Sequence, residues 1–425
     1  MKYQTIKGTT DRLPDAAGRW RNVVETARQV LERAGAGEIH TPVFEDTGVF
    51  FKGVGESSDI VRKEMYRFSD RGERDLTLRP EATAPIVRAF IEHGMNSLPF
   101  PVKLWTFEPM FRAEKPQKGR ERQFHQIGLE IFGAEEPLAD AEAIDLASSI
   151  LRVLGLRRFT VHVGSVGDPQ DRERYNAYLR NELAPRLDQL SEDSRARLDL
   201  NPMRILDSKD RGDQNVLREL KVKPMLEFLG PDALEHFEAV QGYLRALGCE
   251  FQVDETIVRG LDYYRRTAFE LKHPDIGAQA ALGGGGRYDG LTELLGGQPT
   301  PGVGFGLGVE RIILALEAEG VVSPERLKPL IAVLPLDESS VGSAAALGRA
   351  ARQIASAFVA YRSRPLGKAL NDAQKLGARF AVLIGEAERA ADSVSVKNLE
   401  TREQFSVPAG EFTTWLSNEV EKEQA

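Results

Sequence analysis

Residues 103–112, KLWTFEPMFR, and 122–132, RQFHQIGLEIF, decide how this chain folds. In the second run Ile127, Leu129 and Ile131 fall on one face of an extended backbone, and Gln126, Gly128 and Glu130 fall on the other. That period of two is the mark of a half-buried strand. In the first run Trp105, Phe107 and Phe111 share a face opposite Glu108, Met110 and Arg112. The connection, AEKPQKGRER, sets Lys115, Lys118, Arg120 and Arg122 against Glu114 and Glu121, so it is locally basic. Together the runs predict an antiparallel hairpin with a polar floor and a basic tip. Such a hairpin suits a zwitterionic ligand on its floor and an anion near its end.

Outward from the hairpin, the segment from about 39 to 133 consists of short alternating runs broken by Gly and Pro, which predicts a largely antiparallel sheet. Before it, Trp20, Val23, Val24, Ala27, Val30, Leu31 and Ala34 recur at helical steps after Pro14 and stop at Gly35. After it come a helix at about 138–154, a helical insertion at about 168–250, and strands again at 250–310. A helix follows at about 309–319. The stretch VVSPERLKP, with its two prolines, reads as a linker. Beyond it LIAVLP, RFAVLIG and SVSVKNL alternate with helical segments, predicting a separate α/β domain. The expected domains are therefore 1–325 and 330–425.

The 425 residues carry 56 Lys and Arg against 64 Asp and Glu, a net charge of −8, with 41% hydrophobic and 28% charged residues. These values fit a globular chain of two or three domains and exclude a disordered one. No run approaches the roughly 20 apolar residues of a bilayer span. The amino terminus lacks a signal-peptide pattern, so a cytoplasmic location with no membrane contact is expected. Cys249 stands alone, and the six histidines (40, 93, 125, 162, 236 and 273) are scattered, so neither a disulfide nor a protein-ligated metal is expected. The acidic average argues against non-specific nucleic-acid binding but leaves a local basic patch open.

The 39 glycines invite a nucleotide-binding reading, yet neither GxGxxG nor GxxxxGK[ST] occurs. In 302–308 Gly302, Gly304, Gly306 and Gly308 alternate with Val303, Phe305 and Leu307, so one face of a strand there is bare. A bare face admits a flat ligand or another backbone. Arg311 at the start of the next helix favours phosphate. Arg79 and Glu81 precede a Pro-initiated helix. Arg259, in a run of Leu, Tyr and Gly read as a strand, precedes Tyr263 and Tyr264, and two tyrosines in sequence point to opposite faces, so only one is expected to meet a site.

These stretches resemble the histidyl-tRNA synthetases, a family of class II aminoacyl-tRNA synthetases. The resemblance runs through KGTTDRLP (7–14), SSDIVRKEMYRFSDR (57–71), LTLRPEATAPIVRA (76–89), a hairpin similar to motif 2, RGLDYY (259–264), LGGGGRYDGL (282–291) and GVGFGLGVER (302–311), similar to motif 3. GARFAVLIGEAE and SVSVKNLETREQF resemble the family's carboxy-terminal domain. The implied fold is α+β, a class II synthetase antiparallel sheet flanked by helices, with a helical insertion and a C-terminal α/β anticodon-binding domain. The implied assembly is a homodimer. The implied reaction joins L-histidine to ATP as histidyl-adenylate and passes the histidyl group to the 3′ end of tRNA(His). Mg²⁺ would accompany ATP.

Position by position, the resemblance makes Arg112 and Arg259 the catalytic contacts to the α-phosphate. Arg120 and Arg311 would also meet ATP, with adenine against the strand that contains Gly304 and Gly306. Histidine would be held by Glu81, Thr83, Gln126, Glu130, Tyr263, Tyr264 and Tyr288. Lys115, Gln117 and Lys118 would reach the acceptor end of the tRNA. The alternative is a catalytically silent histidine-binding paralogue, of the kind that regulates ATP phosphoribosyltransferase. Such paralogues lack the carboxy-terminal domain, which this chain has.

Overall fold

The computed structural model describes residues 3–55, 58–257, 263–277, 280–321 and 328–424. The chain divides into two compact units, Met1–Pro324 and Glu325–Ala425. Most of the VVSPERLKP segment, residues 322–327, lies outside the described residues.

In the first unit Pro14 opens the helix Pro14–Arg33, where its missing N–H has no intrahelical partner to lose. The first strand is β1 (Gly37–Glu38). A small sheet follows, formed by β2 (Phe44–Asp46), β3 (Tyr66–Ser69) and β4 (Asp75–Leu78) in the order β2-β4-β3. Then come the hairpin strands β5 (Val102–Phe111) and β6 (Gln123–Phe132), followed by β7 (Thr160–Ser165), β8 (Gln252–Val253), β9 (Arg265–Lys272), β10 (Ala281–Arg287) and β11 (Gly302–Gly308).

Eight of these strands form one sheet in the order β1-β5-β6-β11-β10-β9-β7-β8. The six inner strands are antiparallel to their neighbours, and the short edge strands β1 and β8 pair in parallel. The hairpin register sets Glu108 opposite Gln126, Thr106 opposite Gly128 and Leu104 opposite Glu130.

One face of the sheet is apolar, and helices cover it. Trp105, Ile127, Leu129, Ile131, Phe269, Leu282, Val303, Phe305 and Leu307 pack there against Val23, Ala27 and Leu31 of the first helix. Ile144, Ala147 and Leu151 of Pro137–Val153, and Ile312, Ala315 and Leu316 of Val309–Glu319, complete the layer. Burying each large aliphatic side chain contributes about 1.5–3 kcal/mol. The opposite face, with Gln126, Gly128 and Glu130, is thereby left for chemistry.

The insertion is helical, as its Leu spacing predicts, with longer helices at Pro169–Leu183, Glu192–Leu200, Arg211–Leu220 and Pro231–Ala246. Asp168 and Asp171 form a reciprocal capping box at its entrance.

The second unit is a five-stranded sheet of β12 (Ile331–Pro335), β13 (Ala357–Val359), β14 (Phe380–Ile384), β15 (Ser393–Asn398) and β16 (Gln404–Pro408), in the order β13-β12-β14-β15-β16. β13, β12 and β14 are parallel and the rest antiparallel. The helices Val341–Ala351 and Leu366–Lys375 make the crossovers between the parallel strands, which puts α and β segments in alternation.

Candidate active site

Glycine builds the floor of the site. β11 pairs with β6 so that Gly304 faces Glu130, Gly306 faces Gly128 and Gly308 faces Gln126, while on its other side Gly306 faces Gly284 and Gly304 faces Gly286. A Cβ at Gly304 would overlap the Glu130 carboxylate, and one at Gly302 would overlap the Tyr288 ring. A Cβ at Gly306 would lie 3.3 Å from the Gln126 amide, and one at Gly308 3.6 Å from Arg311. The bare positions are thus shared: Glu130 and Tyr288 fill those at Gly304 and Gly302, and open surface remains toward Gly306.

Above this floor is a cavity of about 190 Å³ lined by Glu81, Thr83, Gln126, Glu130, Tyr263, Tyr264 and Tyr288, with Arg112, Gly304, Gly306 and Arg311 also on its wall. Glu81 sits at the start of the helix Thr83–Glu92, where its carboxylate accepts the backbone N–H of Thr83 at 2.8 Å and of Ala84 at 2.9 Å. The helix N-terminus favours an anion there. Glu130 accepts the Thr83 hydroxyl at 2.7 Å and the Tyr288 hydroxyl at 2.6 Å. Burial, reinforced by the neighbouring Glu81 charge, outweighs those two donors and pushes the Glu130 carboxyl up to about 8. Burial also raises Glu81, against the pull of its backbone donors.

The expectation that only one of Tyr263 and Tyr264 meets the site is wrong: both line the cavity, and the Tyr263 hydroxyl donates to Glu81 at 3.4 Å. They precede β9, with Tyr263 in a turn, so strand alternation does not apply to them. Their rings lie 4.8 Å apart, and Tyr263 meets Tyr288 edge-on at 5.9 Å.

Two buried arginines hold this end in place. Arg287, next to Tyr288, pairs with the fully buried Asp140, its Nε donating to Oδ2 at 3.1 Å, and with Asp289 at 3.2 Å. Arg79 pairs with Glu108 of the hairpin and donates to the Thr41 carbonyl at 2.6 Å and the Pro109 carbonyl at 2.9 Å. It thereby ties the Glu81 segment to the strand that ends just before Arg112.

The other end of the site is cationic. Arg112 donates to the Pro80 carbonyl at 2.9 Å and lies 5.1 Å from the Phe124 ring. Arg311 donates to the carbonyls of Gly119 at 2.9 Å and Ala281 at 2.8 Å, bridging the hairpin loop and β10. Burial, with Arg112 and Arg120 nearby, pulls Arg311 down to about 10, which leaves it charged at neutral pH. Arg120 pairs with Glu114 at 2.5 Å. Lys115, Gln117 and Lys118 stand exposed on the loop.

A larger cavity of about 770 Å³ opens from Arg112 and Arg120 toward Arg197, Arg204 and Lys209 of the insertion. Arg259 lies outside the described residues. Among the described residues no helix is long and apolar enough to cross a membrane, and no group of three or more His, Cys, Asp or Glu is arranged to hold a metal ion.

Sequence reasoning missed several residues that border these cavities. Glu270 and Glu114 line them but sit in runs whose spacing marks nothing. In the second unit a cavity of about 430 Å³ lies at the carboxyl ends of β12 and β13, beside Tyr361, Arg362 and Arg364. Tyr361 is 88% exposed, and the available signal in the sequence was an aromatic followed by two arginines in YRSR.

The family model described as histidyl-tRNA synthetase matches residues 8–312, and that of an anticodon binding domain matches residues 331–419. The histidine–tRNA ligase of Thermus thermophilus is 54% identical over 416 residues, covering 98% of this chain and 99% of that protein. The histidine–tRNA ligase of Deinococcus radiodurans is 53% identical over 426 residues, covering 97% and 99% respectively. Among solved structures, apo histidyl-tRNA synthetase of S. aureus superposes with a TM-score of 0.82 at 33% identity, covering 98% of this chain and all of that one.

Proposed function

The chain belongs to the histidyl-tRNA synthetase family, and from that premise we propose how its residues divide the work. It is a histidine–tRNA ligase: it activates L-histidine with ATP and transfers the histidyl group to the 3′ end of tRNA(His). One observation carries the assignment. A single cavity sets two buried carboxyls and three tyrosines at one end and Arg112 and Arg311 at the other. An amino acid with a basic ring and an ammonium group fits the first end, and a triphosphate fits the second.

In this reading Glu81, Thr83 and Gln126 take the amino group, and Glu130 with Tyr263, Tyr264 and Tyr288 encloses the imidazole ring. A different side chain would leave those buried groups unpaired, which is the basis of discrimination. A carboxylate oxygen of histidine attacks the α-phosphorus, and the bond to the bridging oxygen of pyrophosphate breaks. Negative charge grows on the α-phosphoryl oxygens. Arg112 is positioned to meet it, and Arg259 is assigned to the same task by its motif alone. Arg120 and Arg311 take the distal phosphates, and adenine lies over the bare strand at Gly304 and Gly306, chiefly at Gly306. Mg²⁺ travels with ATP and is held by phosphate oxygens, as its preference for retained waters and few protein ligands suggests.

In the second step the terminal ribose hydroxyl of the tRNA attacks the acyl carbon, and AMP leaves. Lys115, Gln117 and Lys118 guide the acceptor end, and the surface around Tyr361 stacks bases of the anticodon. The enzyme works in the cytoplasm as a homodimer.

The test is exchange of labelled pyrophosphate into ATP without tRNA, each amino acid being supplied in turn. Exchange with histidine alone is expected. Histidine binding without exchange would instead identify a silent regulatory paralogue.

A further inference from the structure

The cationic end of the site contains three carboxylates that a triphosphate would have to approach: Glu114, which Arg120 pairs with, and two others. A small cavity of about 90 Å³ brings Glu121 and Glu310 to the same wall as Arg112, Arg120 and Arg311. Both carboxylates are met by the segment ahead of the first helix, KGTTDRLP. Arg12 donates to Glu310 Oε1 at 2.6 Å, and the Thr10 hydroxyl donates to Glu121 at 3.1 Å. The Arg12–Glu310 pair is only 23% and 13% exposed, so water screens it less than an ordinary surface pair.

The segment is anchored on both sides of this contact. The Gly8 carbonyl accepts the backbone N–H of Arg122 at 2.7 Å, and a Cβ at Gly8 would come within 2.7 Å of Pro116, so the chain lies tight under the hairpin loop. The Arg12 guanidinium stacks 3.7 Å over the Trp20 ring, which fixes its reach. Glu310 in turn accepts the backbone N–H of His125 through both oxygens at 3.0 Å, and the His125 ring packs against both Trp20 and Phe107. The carboxylate is thereby held against β6, one residue before Arg311.

We propose that Arg12 is a positioning residue for the ATP half of the site: it neutralises Glu310 and holds that carboxylate against His125, so that the phosphates meet net positive charge. This rests on the reading of Arg311 and its surroundings as the ATP half. Neither Arg12 nor Glu310 then touches the reacting atoms. The effect is electrostatic, so it falls on ATP and spares histidine.

The experiment uses the full chain and pyrophosphate exchange, with KM measured separately for ATP and for histidine. Four variants are compared: Arg12→Met, which keeps an apolar cover on Trp20, Arg12→Lys, Arg12→Met/Glu310→Gln, and Arg311→Ala as reference. Arg12→Met is expected to raise KM for ATP about tenfold while KM for histidine stays within about twofold. Arg12→Lys restores most of the loss, and so does removing the uncompensated carboxylate in the double variant. An unchanged KM for ATP in Arg12→Met, an equal rise in both constants, or no recovery in the double variant overturns the proposal. If Arg311→Ala leaves KM for ATP unchanged, the reading of the ATP half fails first and the proposal falls with it.

Discussion

Tyr288 donates its hydroxyl hydrogen to Glu130 across 2.6 Å at the closed end of the cavity, where that carboxyl is buried beside Glu81. Glu81, held by two backbone N–H groups, is the better placed of the pair to carry the negative charge. With its pKa pushed up to about 8, Glu130 is mainly protonated in the free enzyme at neutral pH.

The histidine ammonium group offsets the Glu81 charge that helps to raise Glu130, and the neutral imidazole N–H favours an acceptor there, so binding at pH 7 should release a proton from Glu130. Calorimetry in buffers of different ionisation heat should detect up to about one proton released. Histidine affinity should rise between about pH 7 and pH 8.5, beyond the range in which free imidazole itself titrates. Glu130→Gln should flatten that rise, and Tyr288→Phe should move it to higher pH, because the lost hydroxyl had favoured the anion. The folded pKa lies above the unfolded one, so this group's contribution to stability is complete below about 4.5 and is lost as pH rises through about 8. The unliganded enzyme should therefore melt lower at pH 8.5 than at pH 6 by the increment that Glu130→Gln abolishes.

Glycine positions in the floor should differ sharply in tolerance. Gly304→Ala drives a methyl group into Glu130 and the Leu129 carbonyl, and should raise KM for histidine by about 10²-fold or prevent folding. Gly306→Ala meets only the end of Gln126, at 3.3 Å, and should fold and bind histidine while losing ATP affinity. Equal binding of both ligands by the two variants would contradict the division of the floor.

Asp140→Asn leaves the fully buried Arg287 without its main anion. Breaking such a pair should cost about 3–5 kcal/mol, measured by urea unfolding, and the displaced Tyr288 should raise KM for histidine. Replacing both partners, as in Asp140→Leu/Arg287→Met, should cost less than Asp140→Asn alone, because the charge then left unpaired, Asp289, is partly exposed and keeps the Gly302 N–H.

Lys115→Ala/Lys118→Ala should leave pyrophosphate exchange intact while weakening aminoacylation of tRNA. If each lysine meets a phosphate, the slope of log K against log salt should fall in magnitude by about 0.7–0.9 per lysine. A change in exchange without a change in transfer would place the loop at ATP instead.

The hairpin was legible because its strands alternate cleanly and its floor residues recur every second position, as with Gln126, Gly128 and Glu130. The helix Val309–Glu319 was equally plain from its apolar spacing. Tyr263 and Tyr264 misled because two adjacent residues share a wall only where the chain turns, and nothing in RGLDYY announces the turn. That Glu130 fills the space over Gly304 depends on the register between β6 and β11, which neither strand's own pattern contains. The pairing of Arg12 with Glu310 spans 298 residues of sequence, so only the tertiary fold reveals it. Arg79 looked like a site residue, yet its partners are the Thr41 and Pro109 carbonyls and Glu108, all structural.

The glycine floor also constrains how this protein can change over generations. At Gly283 and Gly285 a side chain would run into the carbonyls of Gly306 and Gly304 on the adjacent strand, so backbone, which no substitution can trim, is what forbids it. Every one-codon step away from glycine there is closed, and a compensating second change in a side chain would leave the backbone clash in place. Divergence among descendants should therefore be channelled to the walls and the exposed hairpin loop, with the floor passed on nearly unaltered.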